Sequence, residues 1–270
     1  MKPDLRNYYG FKQLPFSSDL KKEQLYKLQS MLDISDKIQF AVQNSMYFAI
    51  IGEVGAGKST ALRYASEQLP AKHFQSLYIV GVSCSFVELL RQCMASVGVY
   101  IRTNQQSSML RTIYEAFAHI QDEGKSPVIF LDECHLYNSD VFTQLHLISQ
   151  QSLEGGKIVP IVMCGQESLF DKLRSPFARP LHSRILDGYN VKSLSQDECF
   201  GYITHHLETI GGSRKDIFDP QALIAISQVS AGIPRRINAT CLLALQHAME
   251  LELPSISADV IRQVSKNWWE

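Results

Sequence analysis

The chain has 270 residues, 45% of them hydrophobic and 20% charged, with 26 Lys and Arg against 27 Asp and Glu. That length fills one large domain or two modest ones, and the composition is that of an ordinary globular protein with ample material for a core. The net charge of −1 excludes a lone subunit that grips nucleic acid by bulk charge, but not a local basic stripe or a groove built by several subunits.

In chain order, the N-terminus from Met1 to Arg6 has no apolar signal core. No later stretch approaches the ~18 apolar residues of a membrane span, so a soluble, cytoplasmic protein without membrane contact is expected. An aromatic segment (Tyr8, Tyr9, Phe11, Phe16) leads into a helical stretch from about Glu23 to Gln43. Apolar runs at Tyr47–Ile51, Ser76–Val80, Pro127–Leu131, Ile158–Cys164 and Ile185–Val191 predict five strands. Between them, apolar spacing predicts helices over Phe86–Val97, Met109–Gln121 and Ser139 to about Leu153, the last stopped by Gly155 and Gly156.

After Ser193 the pattern turns wholly helical. Ser195 and Glu198 form a capping box for a helix stopped by Gly211 and Gly212. Further helices open at Asp219–Pro220, at Pro234 and at Ser257, the last ending near Trp268 and Trp269. Alternating strands and helices followed by helices alone predict an α/β domain over residues 1–191, with an N-terminal extension, and a helical domain over 192–270. The cysteines are Cys84, Cys93, Cys134, Cys164, Cys199 and Cys241. None has C-x-x-C or zinc-like spacing, so they read as reduced, mostly buried thiols.

Residues Gly52, Glu53, Val54, Gly55, Ala56, Gly57, Lys58, Ser59 and Thr60 fit G-x-x-x-x-G-K-[ST] between a strand and a helix. This is the phosphate-binding loop in its required context, and it predicts a nucleoside triphosphate, ATP, as ligand. The glycines let backbone N–H groups close on the phosphates, helped by the positive end of the next helix. Lys58 is expected at the β/γ-phosphates, Ser59 on Mg²⁺, and Thr60, a weaker candidate, near the α-phosphate.

Asp132 and Glu133 end the third apolar strand, where open α/β sheets bind ligands. Asp132 is expected to hold Mg²⁺ and Glu133 to polarise the attacking water, the requirement for hydrolysis rather than binding alone. The competing reading is an acidic turn after a strand. Gln166, after the fourth strand, is a candidate sensor of the γ-phosphate, against a plain turn residue. His135 is a candidate coupler of nucleotide state, against a polar residue that happens to follow the strand. Arg184 before the fifth strand and Arg235 in the helical region are the arginines of interest, because phosphoryl transfer needs positive charge at the transition state. On spacing alone each reads as a solvated or salt-bridged surface arginine.

The whole set, in this order, resembles the AAA+ ATPases, and closely the ExeA / general secretion pathway protein A-like family, related to the TniB and MuB transposition ATPases. The resemblance rests on Tyr8–Phe11 with Pro15 and Phe16, Gly52–Thr60, Leu131–His135, Gly165–Leu169, Leu181–Ile185 and Gly232–Asn238. It implies a three-layer αβα domain with a central parallel sheet and a small all-α lid. It implies that Arg184 is the arginine finger acting in trans, with Arg179 as the nearby alternative. Arg235, beside Arg236, matches sensor 2, and Gln166 matches sensor 1. Tyr9 or Phe11 would line the adenine pocket, or else simply pack in a core.

A trans arginine implies a ring or helical filament of this chain. Repetition would then concentrate a few basic residues along double-stranded DNA, with Arg91, Arg102 and Arg111 as candidates against ordinary solvated helix faces. The expected role is a DNA-binding ATPase that regulates a transposase. The alternative is an assembly ATPase of a secretion system, whose members are expected to carry a membrane segment and a wall-binding domain after the ATPase. A small-molecule kinase and a slow nucleotide switch are more distant readings.

Overall fold

The computed structural model describes residues 4–17, 22–150, 158–211 and 216–266. A short helix α1 (Leu5–Tyr9) precedes α2 (Gln29–Gln43), and all five apolar runs form strands. The order continues β1 (Tyr47–Gly52), α3 (Lys58–Gln68), β2 (Phe74–Val80), α4 (Phe86–Ser96), α5 (Gln106–Asp122) and β3 (Ser126–Asp132). Then come α6 (Ser139–Ser149), β4 (Ile161–Gly165), α7 (Ser168–Arg174), α8 (Arg179–His182) and β5 (Ile185–Val191). Helices α9 (Gln196–Ile210), α10 (Pro220–Ser230), α11 (Pro234–Glu250) and α12 (Ala258–Lys266) complete the described chain.

The strands pair in parallel in the order β2-β3-β4-β1-β5. Every residue of β4 and all but the first of β3 are buried, whereas the outer strands β2 and β5 keep exposed positions. That is the pattern of a parallel sheet covered on both faces at its centre. Alternation assigns the faces. Tyr47, Leu77, Ile79, Ile129, Leu131 and Met163 join one cluster with α4, α5, α6 and α7. The alternate residues, including Phe48, Ile50, Phe130 and Val162, are buried on the side of α2 and α3. This is the αβα sandwich expected from the sequence.

By contact the chain forms two units: Gln29–Val54 with Lys58–Val191, and Met1–Leu28 with Gly55–Gly57 and Lys192–Glu270. The sequence attaches residues 1–28 to the sheet domain as an N-terminal extension; the described aromatic residues of that extension pack with helical residues. Tyr9, Phe11 and Phe16 enter a cluster with Ile203, Cys241 and Leu245. The Tyr26 ring lies 6.1 Å from Tyr202 and 5.4 Å from His205. Those contacts explain why the predicted helix from Glu23 begins only at Gln29, after a separate turn at Lys22–Gln24.

Other boundaries moved little. The fourth strand starts at Ile161, just after Pro160, which has no N–H to give. Helices α7 and α8 were not foreseen. The capping box is present: the Glu198 N–H donates to Ser195 Oγ at 3.3 Å and the Ser195 N–H to Glu198 Oε2 at 2.8 Å. Gly211 caps α9 in the left-handed conformation. The expected helix stops at Gly155–Gly156 and Gly212, and the end near Trp268–Trp269, lie outside the described residues.

Candidate functional site

The loop after β1 adopts the backbone its glycines allow, with φ of 83° at Gly55 and 94° at Gly57. A Cβ on Gly57 would meet nothing within 4 Å, so the loop is open there. At Gly55 a Cβ would lie 2.8 Å from the Cβ of Arg235, and the Arg235 N–H points at the Gly55 carbonyl at 3.3 Å. Lys58 opens α3, is only 7% exposed, and donates its ammonium to the Glu53 carbonyl at 2.8 Å. The charge therefore lies across its own loop. Ser59, in the first turn of α3, is exposed, and Thr60 is half-buried. The start of an 11-residue helix, the open space at Gly57 and a held lysine suit a polyphosphate.

Sheet order brings the second half of the site to the same edge. β4 lies between β1 and β3, so Gln166 follows a strand flanked by Gly52 on one side and Asp132 on the other. This is the point where strand order reverses, the crevice in which such sheets take ligands. Asp132 is buried; its Oδ1 accepts the Glu133 N–H at 2.8 Å and its Oδ2 accepts the Tyr78 hydroxyl at 3.0 Å. A hydroxyl and a single carboxylate, Ser59 and Asp132, form a donor set suited to Mg²⁺ shared with substrate phosphates rather than to an all-protein cage.

Glu133 sits in the left-handed region at φ 52°, a conformation that disfavours a residue with a Cβ and recurs at functional sites. Its side chain is 40% exposed, and His135 Nδ1 lies 3.3 Å from its Oε2, at ion-pair distance without hydrogen-bond geometry. Behind them Lys172 of α7 donates to the carbonyls of His135 at 2.6 Å and Tyr137 at 2.7 Å, clamping the turn that carries Glu133. Gly81 fits between: its N–H donates to the Asp132 carbonyl at 2.8 Å. Sequence reading missed Tyr78, Lys172 and Gly81. The alternation of β2 puts Tyr78 and Val80 on one face, but only the register, Val80 opposite Asp132, sets the phenol beside the carboxylate. Burial, helped by the charge of Asp132, pushes the Tyr78 phenol up, so it stays a neutral donor, and the same two causes push the Cys164 thiol up. All six cysteines are free and buried.

The arginines fall in different places. Arg184 precedes β5, and its carbonyl accepts the N–H of Tyr47, the first residue of β1. Five residue steps along β1, roughly 16 Å, separate that level from Gly52. Its guanidinium donates to the Pro180 carbonyl and is half-buried, while Arg179 and Arg235 are exposed. Arg91 pairs with Glu88, and Arg111 lies 3.8 Å from Glu115. Arg102 is exposed, two residues from Tyr100, which is 82% exposed. Tyr9 donates its hydroxyl to the Leu245 carbonyl at 3.0 Å and stacks on Phe11, both buried. Of the two readings for these rings, core packing is the one their surroundings support.

Residues 42–173 match the AAA domain family. The fold is that of a P-loop AAA+ ATPase. Among solved structures, the Aeropyrum pernix ORC2 protein in its ADPNP–ADP complexes aligns with a TM-score of 0.71 at 16% identity, over 93% of this chain and 70% of that one. The Aeropyrum pernix ORC1 protein in complex with DNA aligns with a TM-score of 0.68 at 12% identity, over 92% of this chain and 68% of that one. In sequence, the chain is 29% identical to General secretion pathway protein A of Aeromonas hydrophila over 236 residues, 87% of this chain. It spans 43% of that relative's length.

Proposed function

We propose that the protein hydrolyses ATP to ADP and phosphate with Mg²⁺, assembles with copies of itself on double-stranded DNA, and regulates a transposase. One observation carries the ATPase reading: Asp132 ends β3 and Glu133 follows it, beside the strand-order reversal that holds the phosphate loop. Residues Gly52 to Thr60 wrap the phosphates, with Lys58 on the β/γ oxygens. Bound Mg²⁺ would neutralise charge on those oxygens, held by Ser59 directly and by Asp132 through water. Glu133 orients the attacking water and accepts its proton, Gln166 reads the γ-phosphate, and Arg235 closes on it from the helical lid.

Arg184 is the transition-state arginine of a neighbouring copy. Its level at the opposite edge of its own sheet supports this, because a finger acting in cis would have to stand at the phosphate loop. Composite sites of this kind imply a ring or filament. For DNA, the exposed pair of Tyr100 and Arg102 supports contact with phosphates and bases, and Arg102 is a better candidate than the ion-paired Arg91 and Arg111. The transposase rests on the motif set resembling a family related to the TniB and MuB ATPases.

A second reading, energising assembly of a secretion apparatus, is favoured by the 29% identity to General secretion pathway protein A. ATP turnover measured with and without double-stranded DNA, beside sedimentation with ATP, separates the two. The first reading expects stimulation and large assemblies. ATP-driven assembly indifferent to DNA would transfer the case to the second, and absence of turnover from the assembled protein would sink both.

A further inference from the structure

We infer that Tyr78 is a positioning residue for Asp132: its hydroxyl fixes the carboxylate in the orientation that takes a Mg²⁺-bound water. The inference rests on the ATPase reading and deepens it. In the β2–β3 register Tyr78 stands opposite Phe130 and Val80 opposite Asp132, so phenol, ring and carboxylate share one face. The Tyr78 ring stacks on Phe130 at 6.5 Å and 13°, which sets the direction of the hydroxyl before it reaches Asp132 Oδ2 at 3.0 Å.

The Glu133 N–H holds the other oxygen at 2.8 Å. With a donor on each oxygen, and the Cys164 thiol also hydrogen-bonded to it, the carboxylate cannot spin about its terminal bond without losing these contacts. An ionised carboxylate has about four acceptor positions, so capacity remains for a metal-bound water. Outer partners of this kind fix metal-side ligands, and removing one typically weakens metal binding by about 10- to 100-fold. Tyr78 is 36% exposed, so replacing it by phenylalanine keeps the stacked ring and deletes only the donor.

The test uses the full chain and a fluorescent ATP analogue, titrated with Mg²⁺ from an EDTA baseline, with Mn²⁺ paramagnetic resonance as a direct count of bound metal. Tyr78→Phe should leave the EDTA affinity unchanged and weaken the metal-dependent part about tenfold. Added to Asp132→Asn it should weaken metal binding no further. A Tyr78→Phe titration that superimposes on wild type overturns the inference alone. So does an equal loss with and without metal, which would mean a structural role. Wild-type protein whose nucleotide binding ignores metal overturns the ATPase reading itself.

Discussion

In the sheet unit the polar groups stand at strand ends. Asp132 closes β3 and Glu133 and Gln166 follow β3 and β4, while the cluster behind them from Tyr47 to Leu181 is mainly apolar and buries the Tyr137 hydroxyl, and the Tyr47 hydroxyl against Ser149. In the helical unit a titratable imidazole is buried in the packing itself. His206 is 3% exposed, stacked on Phe16 at 5.2 Å and packed against Tyr202 at 4.4 Å, and its Nδ1 has no hydrogen-bond partner among the described residues. Tyr9 likewise reaches inside to the Leu245 carbonyl. The sheet can therefore lose its chemistry without losing its core. The helical unit uses buried polar and aromatic contacts to hold the N-terminal segment, so its stability is sensitive to substitution and to acid.

The largest expected effect falls on the sheet edge. Glu133→Gln should cut turnover about 10²- to 10⁴-fold while ATP stays bound and the melting temperature holds, read by phosphate release and nucleotide retention. Normal turnover would remove the role given to Glu133. Next is Gly232→Val in the helical unit. A Cβ there would lie 2.2 Å from the Leu194 carbonyl at a φ of 70°, so about 3 kcal/mol or more should be lost in denaturant unfolding. Hydrogen exchange should locate that loss around α9 and α11 and spare β3 and β4.

Acid sharpens the contrast. Burial lowers the His206 pKa from 6.5 to about 4, so the unfolded chain binds a proton that the folded one refuses. Stability should thus fall as pH drops from 6.5 towards 4, by at most about 3 kcal/mol. His206→Phe should flatten that slope as followed by chemical denaturation. A slope that persists would place the acid-sensitive group elsewhere, with the partly buried His146 of the sheet unit as the first alternative, since burial lowers its pKa too. Smallest is Ser195→Ala, which deletes the capping oxygen of α9 and should cost about 1 kcal/mol. Equal stability to wild type would mean that tertiary packing alone fixes that helix start.

Much of this was readable because the determinants are local. Gly52 to Thr60 carry their own backbone geometry, the run Val128–Leu131 is apolar enough to mark a central strand, and Ser195 with Glu198 announces a helix. The segment from Ser168 to His182 was not read as helical, since α7 and α8 are too short to show a clear period. The N-terminal aromatics stood open between an adenine pocket and a core, because their spacing says they will be buried and not by what.

The sequence by itself determined the order of the five strands and of the longer helices, the glycine-rich loop after β1 and the carboxylates at the end of β3, all of which depend on residues close together in the chain. Tertiary structure alone decided that Tyr78 meets Asp132, that Lys172 clamps the turn bearing Glu133, that Arg184 stands at the far edge of its own sheet, and that Tyr9, Phe11 and Phe16 pack with the helices. Each of these pairs residues from separate elements. Strand register and long-range packing bring them together, and neither leaves a local period to read.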